Sequence, residues 1–291
     1  MTRRNLAIGF TTLAILFSGG VQAQGFFDLV KHALPHEKQE YRSGTISQDQ
    51  ALDLYSAQQK LPSFEACADQ FPASKPINVA SVPPKMKAMA LCSDHFAVLY
   101  SQTTRTPLIV AERLSAAQLR DAKGEQRTNA FYPDPRIPME GRAELIDYSK
   151  QFPSVDRGHQ SPAGDQPTPK AMAQSFALSN MVPQDPDNNR KAWNKVESDV
   201  RKFVQRAGGD VFVFTGPLFD KGFETVGVHK VWKPTRLYKL VYDASSQRAW
   251  GYVLENKPVN VEKPMDYATF VQTTGLHLLD HMNVAGTAGR G

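Results

Sequence analysis

Two short stretches of the chain carry the residues best able to do chemistry. The first is Asp156-Arg157-Gly158-His159, continuing as Gln160-Ser161-Pro162-Ala163-Gly164-Asp165. The second opens with Ser179-Asn180-Met181-Val182-Pro183-Gln184 and runs on to Asn188-Asn189, Trp193, Glu197 and Arg201. An imidazole, with an ordinary pKa of about 6.5, is partly neutral near pH 7, so His159 can take a proton from water. A guanidinium stays charged at every working pH and can hold two phosphate oxygens at once, which suits Arg157 and the upstream Arg127. An activated water, positive charge around phosphorus and help for a leaving oxygen are what phosphodiester hydrolysis needs. Asn189, Trp193, Glu197 and Arg201 are four residues apart in turn. On a helix they share one face, drifting by about 40° per step. Trp193 then anchors the helix, with Arg201 about 6 Å beyond Glu197 along the axis.

With these segments in this order, the chain resembles the DNA/RNA non-specific endonucleases, the Serratia-type nucleases with a ββα-metal finger. The Asp-Arg-Gly-His signature stands intact at 156–159, followed by Asn-x-x-Pro-Gln at 180–184 and an Asn, Trp and Glu at the family's spacing. Arg127-Thr128-Asn129 with Phe131 matches the upstream Arg segment, and Phe214-Thr215-Gly216-Pro217-Leu218 matches the strand and turn after the metal helix. One four-residue motif would be weak, whereas several in order are specific. The resemblance covers roughly residues 64–275, the expected endonuclease domain.

The resemblance implies roles. His159 would be the general base, and Arg127 and Arg157 the phosphate clamps. Asn189 would be the single protein ligand of a Mg²⁺, with Mn²⁺ as a substitute. One neutral oxygen suffices for a cation that keeps several waters and takes others from the substrate phosphate. Glu197 would orient the metal's water shell, and Asn180 would help arrange the site. Arg201 reads either as a further phosphate contact or as a plain helix pair with Glu197. Asn188 competes with Asn189 until the family spacing to Trp193 selects the latter; an Asn here also suits a helix N-cap. Asp156 is expected to hold Arg157 or the loop backbone. DNA and RNA would both be substrates, cut to 5′-phosphate ends, because contacts to phosphates ignore base and sugar. A nuclease-like DNA-binding module that does not cut and a small-phosphodiester hydrolase are the rivals. His277 and His281 are four apart with Asp280 beside them, but Leu278 stands where a zinc protease places its Glu.

These residues need a scaffold. Ser47 and Gln50 make a capping box for a helix to about Lys60. His95 to Tyr100 and Leu108 to Ala111 read as a hairpin, and 121–170, poor in apolar runs, as a functional loop region. A helix is expected over 190–206, stopped by Gly208 and Gly209, which rules out a phosphate cradle there. A buried strand over Val211–Thr215, a Gly216-Pro217 turn, strands over 237–242 and 249–254, and a last helix over 264–283 complete the pattern. Without βαβ alternation this predicts an α+β fold, with a largely antiparallel central sheet flanked by helices and the ββα motif at the site.

The ends of the chain read differently. Arg3 and Arg4, an apolar run from Leu6 to Phe17 and Val21-Gln22-Ala23 form an export signal over 1–23, cut after Ala23. The run is too short to span a bilayer, so no membrane attachment is expected after cleavage. Removing Arg3 and Arg4 takes the formal charge from +5 to +3, which permits a polyanionic partner without demanding one. Export to the periplasm or beyond meets an oxidising compartment, so Cys67 and Cys92, the only two cysteines, are expected to pair. Residues 24–63 read as an N-terminal extension carrying the first helix, and 276–291 as a helix end and loose tail. The 41% hydrophobic and 10% aromatic content excludes wholesale disorder, and two cysteines exclude a disulfide-dense or four-thiolate zinc scaffold.

Overall fold

Seven strands alternate apolar side chains on two faces and pair into one antiparallel sheet, built from β1 (Ala88–Cys92), β2 (Ala97–Ser101), β3 (Thr106–Leu114), β6 (Val211–Leu218), β9 (Arg236–Asp243), β10 (Arg248–Glu255) and β11 (Met265–Asp266), side by side in that order. The computed structural model describes residues 46–55, 63–149 and 155–285. The chain divides into Met1–Glu40 and Tyr41–Gly291, and every described residue belongs to the second unit. The expected leader over 1–23, most of the extension and the tail from 286 lie outside the described residues, whereas the first helix, expected to reach about Lys60, ends at Asp53 with Leu54 as its C-cap.

The alternation on β6 shows how the sheet is covered. Phe212 and Phe214 pack with Phe64, Phe71, Leu240 and Phe270 on one face. Val211 and Val213 pack on the other, against Val200 and Val204 of the long helix. The expected α+β fold is thus formed. The hairpin is β2 paired with β3. Cys67 and Cys92 are bonded, tying the turn Glu65–Gln70 to the end of β1 within the first of these clusters.

Two further strands, β4 (Asp156–His159) and β5 (Met181–Gln184), pair antiparallel within and beyond the region expected as loop. A second small pair is β7 (Glu224–Val226) with β8 (Val231–Lys233). Helices α1 (Gln48–Asp53), α2 (Ala116–Ala122) and α3 (Pro169–Ser175) start at Ser47, Ser115 and Thr168, each accepting a backbone N–H of the first turn. At α1 the reciprocal bond from Gln50 completes the capping box. Ala51, Leu54 and Tyr55 then pack against Tyr132 and Phe176, so this stretch is part of the core.

The structure departs from the sequence reading in three elements. Gly216-Pro217 is no turn: β6 continues to Leu218, with Gly216 opposite Tyr238 and Pro217 opposite Leu237. A Cβ at 216 would overlap the Leu108 carbonyl and the Tyr238 ring, and pairing with β3 stops at Thr215, so the missing N–H of Pro217 leaves no partner wanting on that side. The helix expected over 190–206 begins instead as a wide π-helical turn, Asn188–Trp193, and continues as α4 (Asn194–Val204). The last helix, α5 (Tyr267–Thr274), stops at Gly275, whose φ of 71° is the left-handed C-cap that glycine adopts freely. His277 and His281 therefore do not share a helix face, and His277 Nδ1 pairs with Asp280 at 2.8 Å on the surface.

Candidate active site

β4, β5 and the segment 188–204 form a ββα unit whose side chains converge on a cleft of about 400 Å³. Arg127, Arg157, His159, Asn189, Glu197 and Arg201 all line it. Gly158 lets β4 pack closely on β5, because a Cβ there would overlap the side chain of Gln184, which sits diagonally across, opposite Asp156.

His159 is 8% exposed and sits in an aromatic corner, edge-on to Phe176 at 4.9 Å and 5.7 Å from Phe131. Its Nε2 meets no hydrogen-bond partner among the described residues. Burial, then the charges of Arg127 and Arg157, lower its pKa to about 3. The ring is therefore a neutral imidazole across the working range. The same rings carry the arginines: the Arg157 guanidinium lies 4.0 Å from the centroid of Phe131, and that of Arg127 lies 5.0 Å from Phe176. Arg127 Nε also donates to Asn129 Oδ1 at 2.7 Å.

The Asn188–Asn189 ambiguity is resolved by contacts. Asn188 is fully buried, donates to the carbonyls of Glu255 and Lys257 and accepts from Gln184. Asn189 faces the cleft instead, with its Nδ2 donating to Asp156 Oδ2 at 2.9 Å. A carboxylate only accepts, so the amide nitrogen must face Asp156. Among the described residues no donor meets the Asn189 oxygen. The helix cap falls to neither Asn, since Asp185 accepts the Asn188 N–H at 2.8 Å. Asp156 also takes two hydrogen bonds from Arg190, at 2.9 and 2.6 Å, rather than holding Arg157. Neighbours on a strand point to opposite sides, so Asp156 turns to the helix while Arg157 turns to Phe131.

Glu197 lies about two turns beyond Asn189. Burial, opposed by Lys239, Arg201 and Arg127, raises its pKa to about 7. Arg201 is nearer to Asp165, at 3.1 Å, than to Glu197, at 3.9 Å, so its charge is largely committed within the protein. Asn180 does not reach the cleft. It is fully buried behind the wall, accepting the Ser161 N–H and donating to the Ser161 and Ser175 carbonyls, each at 2.9 Å. Trp193 is also fully buried, beside Val182, Val196 and Leu237. Asp165, Phe176 and the orienting part of Asp156 were not legible as site residues; for Asp156, its place in the Asp-Arg-Gly-His run was the one available signal.

A donor set of one amide oxygen with a carboxyl nearby fits a hard cation that retains water. Among the described residues no three His, Cys, Asp or Glu side chains surround one point, so such a cation would keep most of its own shell.

A strand pair and helix presenting a His and an Asn across a cleft, beside a large antiparallel sheet, define the ββα-metal nuclease class. The profile of the DNA/RNA non-specific endonuclease family matches residues 74–282, and the chain belongs to that family. It is 37% identical over 179 residues to the mitochondrial nuclease EXOG of Danio rerio, covering 56% of this chain and 51% of that protein. It is 32% identical over 212 residues to nuclease C1 of Cunninghamella echinulata, covering 66% of this chain and 83% of that protein. The chain thus spans about half the length of the EXOG relative, with 51% covered. A chain in the crystal structure of the EndoG/EndoGI complex superposes with a TM-score of 0.60 and 25% identity, over 72% of this chain and 94% of that one.

Proposed function

We propose that this protein is an exported, Mg²⁺-dependent, sugar-non-specific endonuclease that hydrolyses DNA and RNA to 5′-phosphate ends. One observation carries the reading: a neutral imidazole, two guanidinium groups and an amide oxygen that no donor among the described residues meets share one cleft. Arg127 and Arg157 bind the scissile phosphate. His159 removes a proton from water as that water attacks phosphorus, and the bond to the 3′-oxygen breaks. Asn189 is the residue that would hold Mg²⁺, and Glu197, on the same cleft, would orient its bound water. When bound, the cation supplies charge neutralisation at phosphorus and at the leaving oxygen.

A pKa of about 3 makes His159 a weak base in the free protein. A phosphodiester on Arg127 and Arg157 offsets the two charges that depress it, so the imidazole gains proton affinity as the substrate docks. Indifference to sugar and base follows from contacts made to phosphate alone. Export to the periplasm or beyond is supported by the leader-like pattern over 1–23 and by the Cys67–Cys92 bond, which suits an oxidising compartment.

The test is cleavage of plasmid and of RNA by residues 24–291, with Mg²⁺ and with EDTA, beside His159→Ala. Metal-dependent cutting of both substrates, reduced about 10²- to 10⁴-fold in the variant, is expected for loss of a general base. Cutting that survives the substitution would put the base elsewhere.

A further inference from the structure

The sheet face turned to α4 holds charges that the chemistry above leaves idle. Glu112 of β3 and Lys239 of β9 are each 1% exposed. Ser161 Oγ donates to Glu112 Oε2 at 2.6 Å and accepts from Gln166 Nε2 at 2.9 Å. With the Gln166 amide on the oxygen, the hydroxyl proton is directed to Glu112. Ser161 lies two residues beyond His159, and both its N–H and its carbonyl are bound by Asn180. Pro162, Ala163 and Gly164 follow as the wall of the cleft, and Asp165 closes that wall onto Arg201. A carboxyl in the central sheet therefore holds the wall at its first residue.

The nearby cations make their direct contacts elsewhere. Three carboxyls, on Glu112, Asp165 and Glu197, act on one another, opposed by Lys239, Arg201 and, at Glu197, Arg127. A carboxylate buried without a cation in direct contact is resisted by a low-dielectric interior, which keeps a proton on it. Arg201 serves Asp165 and Glu197 directly. Lys239 Nζ donates to Thr215 at 2.6 Å. Glu112 Oε1 has no hydrogen-bond partner, so nothing but the Ser161 hydroxyl meets this carboxyl directly among the described residues. Burial, then Asp165, against Lys239 and the Ser161 bond, push the Glu112 carboxyl up to about 8.

We propose that Glu112 is a positioning residue for the cleft: as the protonated member of this cluster it holds, through Ser161, the wall that follows His159. Ionisation of Glu112 above neutrality adds a buried negative charge beside Asp165 and Glu197; it strengthens the Ser161 bond, but the repulsion and desolvation outweigh that gain and loosen the wall. The activity arm of the test rests on the endonuclease reading; the unfolding arm does not.

Glu112→Gln keeps the size of the side chain and an acceptor for Ser161 but cannot ionise. In plasmid cleavage with Mg²⁺, the wild type loses kcat as Glu112 ionises, and Glu112→Gln keeps its rate there while staying within about twofold of wild type at pH 6.5. Glu112→Leu, lacking the acceptor, loses about tenfold or more in kcat at every pH with KM little changed, and Gln rescues it. In the metal-free protein, a carboxyl with a raised native pKa stabilises fully below its unfolded value and loses that contribution as pH rises to the native one. The Tm difference between Glu112→Gln and wild type must therefore widen from pH 5 to pH 8. Parallel Tm curves, or an alkaline loss of kcat unchanged in Glu112→Gln, overturn the proposal. If the wild type does not cut nucleic acid, the endonuclease reading fails while the Tm curves still decide the role of Glu112.

Discussion

The two faces of the central sheet are built from the same strands and do different work. On β6, Phe212 and Phe214 look into a cluster of aromatic and aliphatic side chains. Val211, Val213 and Thr215 look the other way, and across from them Glu112 stands opposite Val213 and Lys239 opposite Thr215. The first face is held by burial of apolar area, which is non-directional and tolerant of charge state. The second carries the ββα unit and mixes packing with a buried charge cluster, whose worth depends on pH and on every partner being present. A change on the first face should cost stability alone, and a change around the second should appear in binding, rate and pH dependence.

The strongest way to break this distinction is Phe214→Ala. Loss of a fully packed ring should cost about 3–5 kcal/mol of unfolding free energy in urea titration. The kcat/KM for plasmid, measured where the variant is still folded, should stay unchanged. A large fall in kcat/KM would mean the faces are mechanically coupled. Arg157→Gln tests the cleft side. Removing one phosphate contact should weaken binding about tenfold and reduce the slope of log affinity against log salt by about 1 on duplex DNA. An unchanged slope would remove Arg157 from the phosphate contacts. The smallest effect belongs to His159. Its native pKa of about 3 lies below the unfolded value, so its contribution is present above about pH 6.5 and is lost as pH falls towards the native value. His159→Gln should therefore lose less Tm than wild type between pH 7 and pH 4, and equal losses would show that His159 is not held neutral.

How much was legible follows from which interactions are local. The strands at 211–215, 237–242 and 249–254 are visible because apolar runs and alternation report burial directly. The capping box at Ser47 is visible because its bonds span three residues. The last helix was over-extended because Leu276, Leu279 and Met282 keep a helical spacing while lying beyond Gly275. These side chains do reach the core cluster, but from a chain that has already left the helix. The π-helical turn at 188–193 contains no glycine or proline to announce it.

Within the site, the order of the residues in the chain is enough to name Arg127, Arg157, His159, Asn189 and Glu197 together, since their types and spacings form one recognisable set. Order cannot say which way each head group turns. Asp156 grips Asn189 across 33 positions and Ser161 meets Glu112 across 49, and neither separation has a local signature. A single Glu or Lys in an apolar strand reads as a solvated position until the opposite layer is known. The sequence by itself determined the apolar strands at 211–215, 237–242 and 249–254 and the reactive groups, because runs and motifs are local, and it implied the ββα unit only through the order of the motifs. The tertiary structure alone decided which amide faces the cleft, that His159 is neutral, and that Glu112 and Lys239 are buried beneath it, because burial and field are properties of surroundings assembled from distant parts of the chain.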